Sequence, residues 1–296
     1  MIRHIDKKHF IGNTNKSGHE LYILNHHTAP DVMEEIGRLR EVSFTAAGGG
    51  TGKTLDIDDY DTCEKCYQQL IVYAPEDHEI IGGYRFIDCG TLSDELSRDE
   101  QAISTAHYFD FSDEFTKTYL PHTIELGRSW IQPSYQPAVN PRKGLFALDN
   151  LWDGIGAIVV QNPHIKYFFG KVTMYPNYNI EARGALQYFM NHFFPDLKKL
   201  VTPKIPLFFD LSNNDFKESL QGLSFKEGHK VLQKFVRAQG EFIPPLINNY
   251  MQLSPSMLTF GTANNDDFGK VQETGILITI DDIYPEKKAR HIQLFE

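Results

Sequence analysis

The chain has 296 residues, of which 41% are hydrophobic and 12% aromatic, so it can fill a sizeable core and is not a disordered chain. Its formal net charge of −10 argues against general nucleic-acid binding, because neutralising phosphates needs clustered Lys and Arg. No stretch approaches the roughly 20 apolar residues of a membrane span, and the start, MIRHIDKKHF, lacks the apolar core of a secretion signal. We therefore expect a cytoplasmic protein.

The first half of the chain predicts a strand, a helix, a hairpin and a further strand. The first strand lies in HELYILN, and the helix covers DVMEEIGRLREVSF, where Val32, Ile36 and Leu39 share one face. Two β-rich runs, QQLIVYA and EIIGGYRFI, are joined by PEDH and predict an antiparallel hairpin. A polar helical stretch over 94–105 then precedes a strand at TIELGRSWI, which ends by Pro133.

The second half predicts three helices and two strands. A long buried helix covers GLFALDNLWDGIGAIVV, a strand covers KYFFGKVTMYP, and a second helix covers IEARGALQYFMNHFF. Ser224 and Glu227 form a capping box that opens a third helix, which Gly240 ends, and GILITI is the last strand.

This order of elements predicts an α/β or α+β fold in which helices flank one central mixed sheet. There is no internal repeat and no obvious linker, so we expect a single domain over 1–296. Pro203 and Pro206 mark a weak seam, and 203–296 are predicted to form an additional C-terminal α/β portion.

Cysteine and histidine usage gives no sign of a disulfide framework or a metal site. Cys63, Cys66 and Cys89 are odd in number, and the Cys63–Cys66 pair has no second pair beside it. The 12 histidines are scattered without metal-ligand spacing. We therefore expect no metal and no bound cofactor.

The stretch AAGGGTGKTLDIDDYD, residues 46–61, looks like a phosphate-binding loop but lacks its context. Such a loop needs a strand before it, a glycine four positions ahead of Gly-Lys-Ser/Thr, and a helix after it. Gly52 and Lys53 are present, but Ala47 stands at the first glycine position, a helical pattern precedes and an acidic run follows. The sequence argues against nucleotide binding and raises the question of why this turn presents carboxylates.

Charged residues in or near apolar strands are the candidates for chemistry: Asp56, Asp58, Asp61, Arg85, Glu125 and Arg128. Arg85 and Glu125 lie among apolar neighbours, where an unpaired charge would be costly, so each should have a partner. A structural ion-pair network between the acidic turn and the sheet accounts for these residues as well as a catalytic site does.

The order and spacing of several motifs resemble the GNAT-fold acyltransferases that use acyl carrier protein. The motifs are Arg40…Phe44, Asp56-x-Asp58-x-x-Asp61, GGYRF with Arg85, FDFS at 109–112, and ELGRS with Glu125 and Arg128. The chain resembles the acyl-homoserine lactone synthases and, more closely, the ornithine and glycine N-acyltransferases of bacterial aminolipid synthesis, often labelled hemolysin-like. FIPPLINNYMQL and LWDGI also resemble that second group, so the similarity spans nearly the whole chain, with 203–296 as a family-specific portion.

Two departures from these families narrow the reaction that the resemblance implies. The lactone synthases carry a Trp after the first helix, where this chain has GGGTGKT, and Glu where it has Asp56, which argues against S-adenosylmethionine use and lactone formation. Arg142-Lys143-Gly144 lies where the GNAT pyrophosphate loop is expected, but its spacing differs. A carrier-protein thioester is therefore favoured over free coenzyme A as the donor.

The resemblance implies transfer of a long-chain acyl or 3-hydroxyacyl group from the phosphopantetheine of acyl carrier protein to the amino group of glycine or ornithine. Glu125 is the candidate general base, since a carboxylate on a largely apolar strand is poorly solvated and takes a proton more readily. Arg128, Arg85, Asp58 and Asp61 are expected to hold the catalytic site in shape.

The remaining candidates are substrate-binding residues. Arg40 or Arg128 is expected to bind the acceptor's carboxylate, and a backbone N–H near Trp130 to stabilise the oxyanion. The turn with Gly52, Lys53 and Asp56, close to Phe44, is expected to be a lid over the acceptor. Arg142 and Lys143 are expected either to meet the phosphopantetheine phosphate or to form a solvated turn.

Two other functions are compatible with the residues. A coenzyme A-dependent N-acetyltransferase for small amines would use the same fold, and a non-catalytic binding protein would use the Asp/Arg cluster only as structure. For the lipid-forming enzyme we also expect transient contact with the inner face of the membrane.

Overall fold

The computed structural model describes residues 5–92, 102–207, 211 and 214–296. Its strands, in chain order, are β1 (Phe10–Asn13), β2 (Glu20–Leu24), β3 (Gln68–Ala74), β4 (Glu79–Asp88), β5 (Phe109–Phe111), β6 (Thr123–Ile131), β7 (Tyr167–Met174), β8 (Val201–Pro203), β9 (Leu258–Asn265) and β10 (Val271–Thr279). Its α-helices are α1 (Pro30–Ala47), α2 (Asp59–Thr62), α3 (Pro141–Gly144), α4 (Ala147–Gln161), α5 (Ile180–Phe193), α6 (Asn214–Ser219), α7 (Phe225–Ala238), α8 (Pro245–Met251) and α9 (Pro285–His291). No helix within the described ranges is long and apolar enough to cross a bilayer.

Eight strands form one sheet in the order β1-β2-β3-β4-β6-β7-β10-β9, and β5 pairs with β8 in a separate two-stranded sheet. Neighbouring strands of the large sheet are antiparallel except for β6 and β7, which are parallel. The predicted fold class, a mixed sheet flanked by helices, is confirmed.

The parallel pair β6–β7 opens partway along its length. Its ladder joins Thr123–Leu126 to Tyr167–Gly170 and ends there, although β6 continues to Ile131 and β7 to Met174. A Cβ on Gly170 would lie 2.5 Å from the carbonyl oxygen of Leu126, so glycine allows the two backbones to approach closely at the last rung. Beyond this last rung, which we call the fork, a gap separates the two strands within the sheet.

Helices cover the two faces of the sheet unequally. One face packs against α4, α5, α7 and α8 in the largest apolar cluster, which includes Leu70, Ile155 and Ile276. The other face packs against α1 through Ile36 and Ile71. The gap between β6 and β7 therefore lies between the apolar clusters on the two faces of the sheet.

Local sequence signals account for the ends of several helices. Pro30 stands at the first position of α1, and Gly48, with a φ of 97°, ends it by donating its N–H to the carbonyls of Phe44 and Thr45. The predicted capping box at Ser224 and Glu227 opens α7.

The predicted strands and long helices are confirmed, with shifts at their ends. The helix expected from residue 144 begins at Ala147, after the separate turn of α3. Most of the polar helical stretch over 94–105 lies outside the described residues, and Ser104–His107 form a 3-10 turn. The sequence did not predict the strands β1, β5, β8 and β9 or the helices α2, α3, α6, α8 and α9. The extent of the domain and the seam near Pro203 remain predictions.

Candidate active site

A β-bulge in β6 places Arg128 at the fork. Gly83 of β4 pairs with Trp130 and Arg85 pairs with Gly127, so Arg128 and Ser129 together oppose the single residue Tyr84. Arg128 adopts a φ of 46°, which non-glycine residues seldom do. The bulge turns its guanidinium toward Asp56 and over the ring of Phe268, with 4.4 Å from Cζ to the ring centroid.

The acidic turn after α1 is held by a buried network of alternating charges. Arg40 of α1 is fully buried and donates from Nε to Asp56 at 2.9 Å and from Nη1 to Asp61 at 3.1 Å. Arg85 of β4 donates from Nη1 to Asp58 at 2.6 Å and to Asp61 at 3.2 Å.

Arg128 completes the network from β6. Its Nε donates to both carboxylate oxygens of Asp56, at 2.9 and 3.2 Å, and its Nη2 lies 3.6 Å from Asp58. Three arginines thus face three aspartates, and the turn is bound to α1, β4 and β6 at once. The network of ion pairs expected from the sequence is present, and it joins Arg40 to five of the six charged candidates for the active site, all except Glu125.

The arginines keep the aspartates ionised. Burial alone would raise the pKa of Asp56, but Arg40 and Arg128 outweigh it and hold that pKa below its ordinary value. Burial would also raise the pKa of Asp61, but Arg40 and Arg85 outweigh it and hold that pKa well below the usual range. These two carboxylates therefore act as fixed charges and not as proton carriers.

The glycine-rich turn wraps around a carboxylate of the protein itself. Glu41 accepts hydrogen bonds from the backbone N–H of Thr51 at 3.0 Å and of Gly52 at 2.8 Å, and from the Thr51 hydroxyl at 2.7 Å. Gly50 and Gly52 have φ values of 94° and 73°, which glycine adopts without strain. The amides that would cradle a phosphate in a nucleotide-binding loop are occupied by Glu41, and a helix precedes the turn.

Glu125 of β6 is buried beside the network and accepts three hydrogen bonds. They come from the Tyr67 hydroxyl at 2.5 Å, the Ser104 hydroxyl at 2.8 Å and the Thr105 N–H at 3.0 Å. Burial first, and then the Glu125 charge, raise the pKa of Tyr67 well above its ordinary value, so the phenol remains a donor. Arg85 lies over the Tyr67 ring, 4.9 Å from its centroid, and so connects Glu125 to the ion-pair network.

A cavity of about 570 Å³ passes through the gap between β6 and β7. Its walls include residues 126–131 of β6 and residues 168–171 of β7. Toward the helical face it is lined by apolar and aromatic side chains: Tyr84, Phe168, Ile247, Tyr250, Ile276 and Ile278. Arg85, Lys171, Thr173 and Glu273 alternate along their strands with residues of the helical face, so the opposite face of the cavity is lined by polar and charged side chains: Arg85, Ser104, Arg128, Lys171, Thr173 and Glu273. We call these the apolar end and the charged end.

The sequence-predicted site residues divide into three groups by position. Phe44, Arg85, Arg128 and Trp130 line the cavity. Arg40, Asp56, Asp58, Asp61 and Glu125 stand behind its wall as the buried network and its neighbour. Gly52, Lys53, Arg142 and Lys143 are not among the lining residues; Lys53 is exposed, and Lys143 pairs with Asp77 at 2.9 Å.

Sequence reasoning missed Lys171 and Glu273 at the charged end. Lys171 lies in a largely apolar strand, the same signal that identified Arg85, whereas Glu273 lies between the polar residues Gln272 and Thr274. It also did not predict that Pro244, Pro245 and Ile247 line the cavity, because no local pattern shows that this segment packs against the sheet.

Comparisons with known proteins agree with this architecture. Residues 39–142 match the family model of the acetyltransferase (GNAT) domain. The chain is 52% identical over 285 residues to a glycine N(alpha)-acyltransferase of Bacteroides thetaiotaomicron, which covers 95% of this chain and 83% of that protein. It is 51% identical over 285 residues to a glycine N(alpha)-acyltransferase of Phocaeicola vulgatus, with 95% and 86% covered. The chain belongs to this family of GNAT-type N-acyltransferases.

The family confirms the resemblance that the motifs predicted and the class of enzyme, an acyltransferase. It sets aside the alternative of a non-catalytic binding protein. Among solved structures, the coenzyme A-dependent acyl-homoserine lactone synthase BjaI is 12% identical, with 94% of this chain and 88% of the synthase covered at a TM-score of 0.40.

Changing Asp61 to Asn should lower stability at neutral pH and flatten the response to acid. The pKa of Asp61 is lower in the folded chain than the ordinary 3.8, so its stabilisation is complete above that value and is lost as the pH falls through the folded pKa. Removing one partner of a buried ion pair costs about 3–5 kcal/mol. Urea unfolding of Asp61→Asn from pH 7 to pH 2 should show a large loss at pH 7 and a difference from wild type that shrinks below about pH 4.

Asp59→Asn is the matched control, because Asp59 is exposed two residues away in the same turn. An Asp61→Asn variant that loses less than about 1 kcal/mol at pH 7, within the range of surface pairs, would contradict the structural role of the network.

Proposed function

We propose that this enzyme transfers a long-chain acyl group, such as a 3-hydroxyacyl group, from the thioester of acyl carrier protein to the amino group of glycine or another small amino acid such as ornithine. The observation that carries this proposal is a single cavity with an apolar end and a charged end, joined through the gap in the sheet. The two relatives named for glycine support glycine as the first acceptor to test.

The apolar end supports a long acyl chain over an acetyl group. Cavities that bind whole small molecules measure about 300–1,000 Å³, and this cavity lies within that range at about 570 Å³. An acetyl group would leave most of the aromatic and aliphatic lining unused, whereas each buried methylene contributes about 0.8 kcal/mol. Coenzyme A-dependent acetylation of small amines is therefore the second candidate.

The reaction forms an N–C bond and breaks a C–S bond. A neutral amine attacks the thioester carbonyl carbon, and collapse of the tetrahedral intermediate gives an amide and the carrier thiol. We assign the amine's proton to Glu125 through the Ser104 hydroxyl, since Ser104 lines the cavity and donates to Glu125 at 2.8 Å. Glu125 then returns the proton to the leaving thiolate.

Two further roles belong to the proposal. The edge of β6 that faces the gap has no ladder partner on β7 after Leu126, so a backbone N–H between Gly127 and Ile131 is available to the oxyanion. Arg142 and Lys143 directly precede Gly144, which lines the cavity, and are candidates for contact with the phosphate of the phosphopantetheine arm.

The proposed product is amphiphilic, with an amino-acid head and a long acyl chain. Such a product fits the first step of aminolipid synthesis and a cytoplasmic enzyme that contacts the inner membrane face only transiently. The glycine-rich turn is retained as a candidate lid, since it borders α1 and Phe44 at the charged end.

The direct test is a thiol-release assay. We expect 3-hydroxypalmitoyl acyl carrier protein to release thiol when glycine, ornithine, serine or lysine is added, with one acceptor preferred. Palmitoyl-coenzyme A and acetyl-coenzyme A serve as donor controls. Activity only with acetyl-coenzyme A would move the enzyme to the small-molecule acetyltransferases, and release that does not depend on the amine would refute amide formation.

Narrowing the apolar end should shorten the preferred acyl chain. Ile247 is buried and lines that end, so Ile247→Trp should fill space that the last carbons of a long chain occupy. Each displaced methylene costs about 0.8 kcal/mol, or roughly fourfold in affinity. KM for donors with chains of 8 to about 16 carbons should rise for the long members and change little for the short ones.

Ile243→Trp is the control, because Ile243 is half-buried in the same segment but is not among the residues that line the cavity. If both variants keep the wild-type chain-length profile, the acyl chain does not lie in the apolar end.

Glu125→Gln should abolish most of the transfer and leave the protein folded. The amide oxygen can still accept from Ser104 and Thr105, and the amide nitrogen can donate to the Tyr67 hydroxyl, whose own O–H then loses its acceptor; the amide cannot accept a proton. We expect kcat to fall on the order of a hundredfold or more. Ser104→Ala should also lower kcat, since it interrupts the proposed proton path.

Glu79→Gln on the neighbouring strand β4 controls for loss of a carboxylate outside the cavity lining. Thermal unfolding of each variant separates loss of chemistry from loss of fold. Near-normal kcat in a folded Glu125→Gln enzyme would remove Glu125 from the role of base.

A further inference from the structure

Opposite charges face the charged end of the cavity from two different strands. Arg128 lines it from β6, and Glu273 lines it from β10, on the far side of β7. Both act on the half-buried Tyr108: burial and then Glu273 raise the pKa of Tyr108 to about 12, while Arg128 opposes them. Arg128 lies over the ring of Phe268 in the β9–β10 turn, and Glu273 accepts from Asn265 at the start of that turn, so the two charged groups line the same end of the cavity.

Arg128 has guanidinium donors left over from the ion-pair network. Its Nε is used by Asp56, and its Nη2 makes only the longer 3.6 Å contact with Asp58. Its Nη1 has no hydrogen-bond partner among the described residues, and the side chain keeps 16% of its surface exposed. A planar guanidinium with free donors at a cavity wall is suited to a carboxylate.

Glu273 is held so that one carboxylate oxygen remains available. Oε2 accepts from Lys171 at 2.8 Å and from Asn265 at 3.1 Å, whereas among the residues that the structure describes Oε1 has only a long contact of 3.5 Å from the Thr173 hydroxyl. Lys171 is fixed in turn over the Tyr108 ring, 4.1 Å from its centroid. The side chain of Glu273 is 5% exposed, so an unfilled acceptor position there is costly unless a ligand donor or water fills it.

We propose that Arg128 and Glu273 form a subsite for a free amino acid, which arrives as a zwitterion and releases one ammonium proton to bulk water before its neutral amine attacks the thioester. Arg128 donates hydrogen bonds to the α-carboxylate, and the Oε1 atom of Glu273 accepts a hydrogen bond from the α-amino group. The inference rests on the proposed function and deepens it, because it requires a free amino acid as the acceptor and excludes simple amines and peptide amides.

The subsite also places the two substrates at opposite ends of the cavity. The amino acid binds at the charged end, on the face of α1, while the acyl chain lies at the apolar end among the helices of the other face. The amine and the thioester then meet at the gap in the sheet, near Ser104.

The test compares glycine with glycinamide, which keeps the amine but lacks the carboxylate. Calorimetry without donor should detect glycine binding to the wild-type enzyme and binding of glycinamide at least about tenfold weaker, as expected for a lost charge-assisted hydrogen bond. Glu273→Gln should raise KM for glycine by about tenfold or more at an unchanged KM for the acyl donor. Glu273→Gln should still prefer glycine to glycinamide, whereas Arg128→Gln should lose that preference.

Asp267→Asn is the matched control, since it removes an exposed carboxylate near the same end and outside the cavity lining. Its KM for glycine should stay within about twofold of wild type. Thermal unfolding checks that each variant is folded. The subsite is overturned if wild type binds glycine and glycinamide equally, or if folded Glu273→Gln keeps the wild-type KM for glycine.

Failure of the proposed function gives a different result. An enzyme that acylates small amines instead of amino acids would release thiol with simple amines and show no glycine binding. An enzyme of the proposed function without this subsite would transfer to glycine with no effect of Glu273→Gln.

Discussion

The site depends on the point at which β6 and β7 stop pairing. Up to Leu126 and Gly170 they are ordinary neighbours in a sheet, with backbone groups satisfied across the ladder. Past that rung, β7 stays bound to β10 along its whole length, and β6 stays bound to β4, so each strand is held from its other side. The gap can therefore remain open without unravelling the sheet, and a cavity can pass through it.

The buried network keeps β6 in this position. The bulge at Arg128 and Ser129 adds one residue to β6 and twists it away from regular pairing, which costs backbone strain at Arg128. Arg128 is then bound to Asp56, and through Asp56 to Arg40 on α1. Burying so many charges is a poor way to gain stability, since desolvation offsets most of the attraction. Their benefit here is a fixed geometry, because each charge is paired only when turn, helix and strands are all in register.

The sequence could predict elements and charged partners because both depend on local pattern. Periodicity identified α1 and the β3–β4 hairpin, and lone charges in apolar strands identified Arg85 and Glu125 as buried and paired. The end of the β6–β7 ladder could not be predicted, because it depends on which strands become neighbours after folding. For the same reason Glu273, more than 140 residues after Arg128, could not be assigned to the same cavity.

The local pattern of the glycine-rich turn fits two interpretations, a loop that binds phosphate and a turn that binds a carboxylate of the protein itself. Glycines with positive φ and converging amides are real features of the turn, and they do bind an anion. The anion is the carboxylate of Glu41, one residue after Arg40 in α1, so the turn is bound back onto the helix that precedes it. That attachment sets where the chain leaves the turn, and the next residues are Asp56, Asp58 and Asp61. A turn that bound phosphate instead would lose this internal anchor and could not deliver the aspartates to the three arginines. Thus the glycines serve the active site indirectly, by fixing the position of the acidic segment that holds Arg128 at the gap.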